Sequence, residues 1–212
     1  MQLKHDKNGE THLQNSLADK IQHPIISLFK LKSSLNEEEA QTLLSYWTTE
    51  IELKRNDFLV TIESKENYLY FVQSGVLRIC YPIKEQEICV GFAYENTFIC
   101  SFPSFVKEKP SQYFIQALSK CSLVAIKRND FYKLSNTYPN IERAWRCFVE
   151  EALVGIMERE MEIQTLSPEE RYDRLLQRSP HIFQKVPQKY IASYLNMQPE
   201  TLSRRKHQSK KH

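Results

Sequence analysis

The sequence predicts an α+β chain: a double-stranded jelly roll, or β-roll, followed by one long helix and a C-terminal helix-turn-helix. Three observations carry this reading. Between Ile51 and Lys127 the chain runs through FLVTI, YLYFV, VLRICYPI, EICVGFAY, YFIQAL and SLVAI, all rich in β-branched and aromatic residues and separated by polar breaks. Many short strands at such spacing fold as a sandwich or barrel. After them, apolar residues recur at helical spacing from Pro139 to Thr165, and the segment PQKYIASYLNMQPETLSRRKH, Pro187 to His207, repeats that periodicity on either side of a turn.

The elements follow in order. Asn36 with Glu39 three residues later forms a capping box ahead of apolar residues, which starts a short helix. Gly75 separates two strand runs in YFVQSGVLRI, where a tight turn calls for positive φ. Pro139 suits the first position of a helix because its φ is fixed and its missing N–H needs no partner. That helix runs to Thr165 and spans roughly 40 Å at 1.5 Å per residue. Ser167 of SPEE caps the next helix. The predicted modules are 1–137 for N-terminal helices and roll, 138–166 for the long helix, and 167–212 for the helix-turn-helix.

Length and composition bound the function. A chain of 212 residues with 41% hydrophobic residues, eleven Tyr and eleven Phe is folded and large enough for two modules. No apolar run approaches the ~20 residues that cross a bilayer, and the polar start MQLKHDKNGETHLQN lacks a signal sequence. A cytoplasmic protein with no membrane partner is expected, with its five cysteines reduced. Cys80, Cys89, Cys100, Cys121 and Cys147 contain no Cys-x-x-Cys pair, so they read as ordinary thiols, and neither a metal nor a cofactor is expected. No histidine lies between Pro24 and Pro180, which argues against a metal centre of the cupin type or His-based catalysis inside the roll and hence against an enzyme.

Charge is unevenly placed. From Lys185 to His212 seven Lys or Arg stand against the single Glu200, on a chain whose net charge is only +3. A basic terminal module on a slightly acidic body is the footprint of a phosphate-backbone binder. Within that module Ile191, Ala192, Leu195, Met197 and Leu202 make a small core, Asn196 takes the left-handed turn and Pro199 restarts the helix. The second helix then presents Glu200, Ser203 and Arg204 outward. Arg can donate twice to guanine and Glu can accept from cytosine N4. Lys189, Thr201, Arg205 and Lys206 suit phosphates, and Gln198 stands at the helix start.

This layout resembles the cyclic-AMP receptor protein and FNR (Crp/Fnr) family of bacterial transcription regulators over roughly Pro24 to Arg204. Its most specific element is PETLSR, in which Glu200, Thr201, Ser203 and Arg204 match the E-T-x-S-R core of FNR-type recognition helices; YLYFVQSGVLRI resembles the family's β-roll hairpin. The resemblance implies a cyclic-nucleotide-binding-type β-roll, DNA as partner, and a homodimer reading two half-sites about one turn apart. The stripe Ile141, Trp145, Phe148, Ala152 and Ile156 is expected to supply much of the dimer contact.

Two departures matter. Cys100 and Ser101, followed by Phe102, fall where the family's Gly-Glu pair belongs, and Ser111 and Gln112 where its phosphate-binding Arg and hydroxyl neighbour belong. With no cation for the phosphate and no glycine for close approach, this pocket predicts an unidentified small-molecule effector that is not cyclic AMP. Arg205 occupies a position where the family places an apolar residue, and a charge facing the small core must snorkel or let the helix fray. The sequence reaches His212 without a winged hairpin, which leaves as the alternative a β-roll sensor or scaffold whose DNA-binding end is truncated and non-functional.

Overall fold

The computed structural model describes residues 23–208. The readings of the N-terminal MQLKHDKNGETHLQN and of the last four residues lie outside them. Two short helices come first, α1 (Pro24–Lys32) and α2 (Glu37–Ser45), the second opened by the expected Asn36–Glu39 capping box. Eight strands follow: β1 (Thr49–Leu53), β2 (Phe58–Val60), β3 (Tyr68–Ser74), β4 (Val76–Ile83), β5 (Gln86–Tyr94), β6 (Phe98–Ile99), β7 (Phe114–Ala117) and β8 (Cys121–Lys127). A short α3 (Phe102–Lys107) interrupts them. The remaining helices are α4 (Arg128–Thr137), α5 (Pro139–Thr165), α6 (Pro168–Arg178), α7 (Ile182–Lys185), α8 (Gln188–Tyr194) and α9 (Pro199–Gln208).

The strands form two antiparallel four-stranded sheets, ordered β1-β8-β3-β6 and β2-β7-β4-β5. Side chains that alternate along β3 serve two cores. Tyr70 and Val72 point between the sheets, where they meet Leu77, Ile115, Leu123 and Ala125, while Leu69 and Phe71 point outward onto the helices. There they join Phe29 of α1, Phe105 of α3, Phe131 of α4 and Ile141 of α5. Burial on both faces explains why YLYFV reads as a continuous apolar run with no polar alternation.

Gly75 makes the β3–β4 turn at φ +94°. Pro139 opens α5 and Thr165 ends it, and the Ser167–Glu170 capping box begins α6. No helix among the described residues is long and apolar enough to cross a membrane.

The helix-turn-helix is not a free appendage. Val76 of β4 and Leu118, with Phe92 and Tyr94 of β5 beside them, share one core with Tyr172, Leu175, Ile182, Ile191, Leu195 and Leu202. The terminal helices therefore pack on the outer face of the second sheet.

The expected dimer stripe divides in this fold. Ile141 is fully buried, and Trp145 and Phe148 pack on the chain's own aromatic core through Phe131, Phe98 and Phe29. The expectation that Ile141 meets a second subunit is corrected: it faces the body of its own domain, because α1 and α4 cover that side of α5. Ala152 and Ile156 are exposed, as are Leu153, Val154, Met157 and Met161, so the uncovered apolar face lies farther along the helix.

Candidate nucleic-acid interface

Helices α8 and α9 enclose the turn Leu195–Gln198, with Asn196 in the left-handed region at φ 50°. The turn closes through Met197 N–H donating to the Ala192 carbonyl at 3.0 Å. Ile191, Ala192, Leu195 and Leu202 are buried beneath it and Met197 packs at their margin, which is the predicted core residue for residue. Two arginines fix this unit to the rest of the chain. Arg171 of α6 donates to the Leu166 and Asn196 carbonyls at 2.8 and 3.0 Å, and Arg159 of α5 donates to the Tyr194 carbonyl at 2.7 Å while lying 4.5 Å from the Tyr194 ring centre.

On the outer side of α9, Glu200 and Arg204 are exposed one helical turn apart. Gln198 and Lys189 are exposed, whereas Thr201, Ser203 and Lys206 are half-buried. Arg205 behaves differently from expectation. It neither faces the small core nor frays the helix, because Asp173 of α6 takes it: Nη2 and Nε donate to the two carboxylate oxygens at 2.5 and 3.3 Å. The buried position is filled by Leu202. Asp173 lies 32 residues upstream, a pairing that no local pattern announces.

The module rests on the β4–β5 hairpin. Ser193 Oγ accepts from the Cys89 N–H at 2.9 Å and donates to the Glu87 carbonyl at 3.4 Å, satisfying the open edge of β5. The Arg78 guanidinium lies 4.1 Å from the centre of the Tyr190 ring and pairs with Glu87 at 2.7 Å and Gln116 at 2.7 and 3.0 Å. A groove between hairpin and module is lined by Gln86, Glu87 and Ile88 on one side and by Lys189, Gln198 and Thr201 on the other.

The predicted effector residues do not converge. Ser101 and Ser111 are buried and bond each other, Oγ to Oγ at 2.6 Å, but Phe102 and Gln112 are exposed and Cys100 is tucked between the two cores of the roll. The group that organises this region is Glu66, which the sequence reading passed over. Its carboxylate, 2% exposed, accepts from the Ser101 and Tyr68 N–H groups at 3.1 and 3.2 Å and from the Tyr70 hydroxyl at 3.1 Å. The Glu66 N–H donates to Ser104 Oγ at 3.0 Å. An internal carboxylate thus takes the donors of this loop, including the Ser101 backbone N–H.

Burial raises the Glu66 pKa, opposed in part by these hydrogen bonds. A carboxyl that binds its proton more tightly when folded makes stability fall as pH rises from the ordinary carboxylate value through the raised one. In urea titrations from about pH 4 to about pH 7, the stability of the unmodified protein minus that of Glu66→Gln is expected to decline with pH. A difference that is flat or rising would contradict the assignment.

Residues 50–138 match the model of the cyclic nucleotide-binding domain family. Beyond it, the chain shares its fold with solved Crp/Fnr-type regulators. FixK2 from Bradyrhizobium japonicum superposes with a TM-score of 0.65 at 17% identity, over 76% of this chain and 83% of that one. The c-di-GMP-responsive global regulator CLP of Xanthomonas campestris gives 0.64 at 15% identity, over 82% and 92%. The catabolite activator protein of Thermus thermophilus gives 0.52 at 20% identity, over 82% and 83%. At such identities the likeness is one of fold. No curated protein sequence matches the chain.

Proposed function

We propose that this protein is a DNA-binding transcription regulator of the Crp/Fnr type, acting as a homodimer and responding through its β-roll to a small-molecule effector that is not a cyclic nucleotide held in the family's usual way. The observation that carries the reading is the pair Glu200 and Arg204, exposed one turn apart on a helix whose opposite side is locked by Leu202 and by the Arg205–Asp173 pair. Rigid support of that kind is what base reading in the major groove requires, with Arg204 suited to guanine and Glu200 to cytosine. Lys189, Gln198, Thr201, Ser203 and Lys206 flank it as contacts to the backbone. Arg205, engaged by Asp173, serves the helix first.

The exposed apolar face of α5, Leu153, Val154, Ile156, Met157 and Met161, supports the dimer, and a second copy laid along it would set two α9 helices for two half-sites. The groove shared by Lys189, Gln198 and Thr201 with the hairpin tip suggests how an effector could act. A duplex that reaches those residues displaces Gln86–Ile88, so the docked arrangement opposes binding. Against the cyclic-nucleotide reading stand the Ser101–Ser111 bond and the Glu66 carboxylate, which would repel a phosphate.

Titration of labelled duplexes at several salt concentrations tests the phosphate class of contacts. Lys189→Ala should weaken every sequence to a similar degree and lower the salt slope by about one. If it alters preference among sequences, Lys189 touches a base edge.

A further inference from the structure

Cys80 and Cys89, read from the sequence as unrelated thiols, are opposed residues on the antiparallel pair β4–β5. The Cys89 N–H points away from β4 to Ser193 Oγ, so the two form a non-hydrogen-bonded pair, in which the Cα atoms stand about 4.5 Å apart. That separation lies within the roughly 4.4–6.8 Å a disulfide spans, so the bond can close without moving the strands. Both side chains are fully buried beneath Phe92, Phe114 and Tyr194 of α8, at the seat where the helix-turn-helix rests on the roll. Cys89 Sγ donates to the Gly91 carbonyl at 3.6 Å, and Arg78 Nη1 donates to Cys80 Sγ at 3.4 Å. The neighbouring Cys89 thiol and the Arg78 guanidinium hold the Cys80 thiol below its ordinary pKa, while the Cys80 sulfur and burial push Cys89 up. One sulfur is thus prepared as a nucleophile and its neighbour keeps a proton. Cys100 and Cys121 have no second cysteine opposite: Cys121 donates to the Val76 and Ser119 carbonyls, and burial raises Cys100.

We propose that Cys80 and Cys89 are a dithiol oxidation site for hydrogen peroxide, opened to the oxidant when α8 lifts from β5. The Cys80 thiolate attacks one peroxide oxygen; an S–O bond forms, the O–O bond breaks, and hydroxide leaves to take a proton as water. The Cys89 sulfur then attacks the sulfenic acid; the S–S bond forms, the S–O bond breaks, and the departing hydroxyl leaves as water with the Cys89 proton. Two thiols and one peroxide become one disulfide and two waters, with two electrons passing from sulfur to peroxide. The site does not depend on the DNA reading, because it stands on the hairpin and on α8 alone.

The test treats the reduced full-length protein with hydrogen peroxide, blocks remaining thiols with an alkylating agent and maps peptides by mass spectrometry. The expected product is one cross-linked peptide joining Cys80 to Cys89, lighter by two hydrogens than the reduced pair and restored by dithiothreitol, with Cys100 and Cys121 still alkylated. Recovery of Cys80 and Cys89 as separate alkylated or over-oxidised peptides overturns the proposal. In Cys89→Ser the reaction should stop at a Cys80 sulfenic acid that dimedone traps; trapping at another cysteine in its place overturns the nucleophile assignment. Ser193→Ala, which removes the hydroxyl that satisfies the β5 edge, should speed cross-linking several-fold, and an unchanged rate shows that α8 does not gate the site.

Discussion

Leu153→Glu combined with Met157→Glu is expected to convert the protein from dimer to monomer in light scattering while the subunit stays folded. Leu153 and Met157 are 55% and 60% exposed in the single chain, so neither substitution disturbs the subunit's own core. They lie one turn apart on the half of α5 that α1 and α4 leave uncovered. Burying such side chains against a second copy contributes roughly 1.5–3 kcal/mol each, and four carboxylates brought together reverse that gain. A rise of at least about a hundredfold in dimer dissociation constant, or roughly 2.7 kcal/mol, should follow. If the doubly substituted protein remains a dimer, the interface is elsewhere. Phe148, which the family resemblance placed in the seam, is the informative control, because Phe148→Ala should cost stability through lost contacts with Phe29 and Phe98 whether or not a dimer forms.

The second large effect belongs to the β3–β4 turn. At Gly75 a Cβ would stand 2.5 Å from both the Cys121 sulfur and the Lys120 carbonyl oxygen and 2.8 Å from the Cys121 Cα, at a φ of +94° that L side chains rarely adopt. Strain of about 1–3 kcal/mol adds to a displacement cost of similar size. Gly75→Ala should therefore lose roughly 3 kcal/mol, which for a chain of this length lowers Tm by about 6–12 °C. Gly91→Ala is the comparison, since its Cβ meets only the end of Ile79 at 3.3 Å. Equal melting of the two variants would show that the close approach at Gly75 is not what fixes the turn.

What was legible in the sequence was local. The Asn36–Glu39 and Ser167–Glu170 boxes, Pro139 at a helix start and Asn196 in a left-handed turn each combine a residue's own backbone preference with a partner no more than a few positions away. The small core of the helix-turn-helix was legible for the same reason. What escaped depends on distant segments. Apolar residues run most of the way round α5, so periodicity cannot say which side Phe29, Phe98 and Phe131 will cover. Arg205 looked misplaced until Asp173 arrived from α6. Glu66 looked like one more surface carboxylate in ESKENY, and its burial follows only when Tyr70 of β3 and the Ser101 N–H, 35 residues away, donate to it and Ser104 of α3 accepts from its N–H. Cys80 and Cys89 were separable from ordinary thiols in principle, since they pair in the register that runs unbroken from the hairpin turn at Lys84 and Glu85, the bulge lying beyond them between Ile79 and Cys80; what spacing does not reveal is that these two runs form a two-residue hairpin.

The proposed regulator function stands on base reading by Arg204 of α9. Selection of a preferred duplex from random sequence, followed by titration of that duplex and a scrambled one with the unmodified protein and with Arg204→Ala, tests it most directly. The unmodified protein is expected to prefer the selected duplex, and Arg204→Ala to lose about 1–3 kcal/mol on it, roughly five- to 150-fold, with relaxed preference at one base pair and little change on the scrambled duplex. Equal weakening on both duplexes would make Arg204 a phosphate contact, and an unmodified protein with no preference even at low salt would contradict the account.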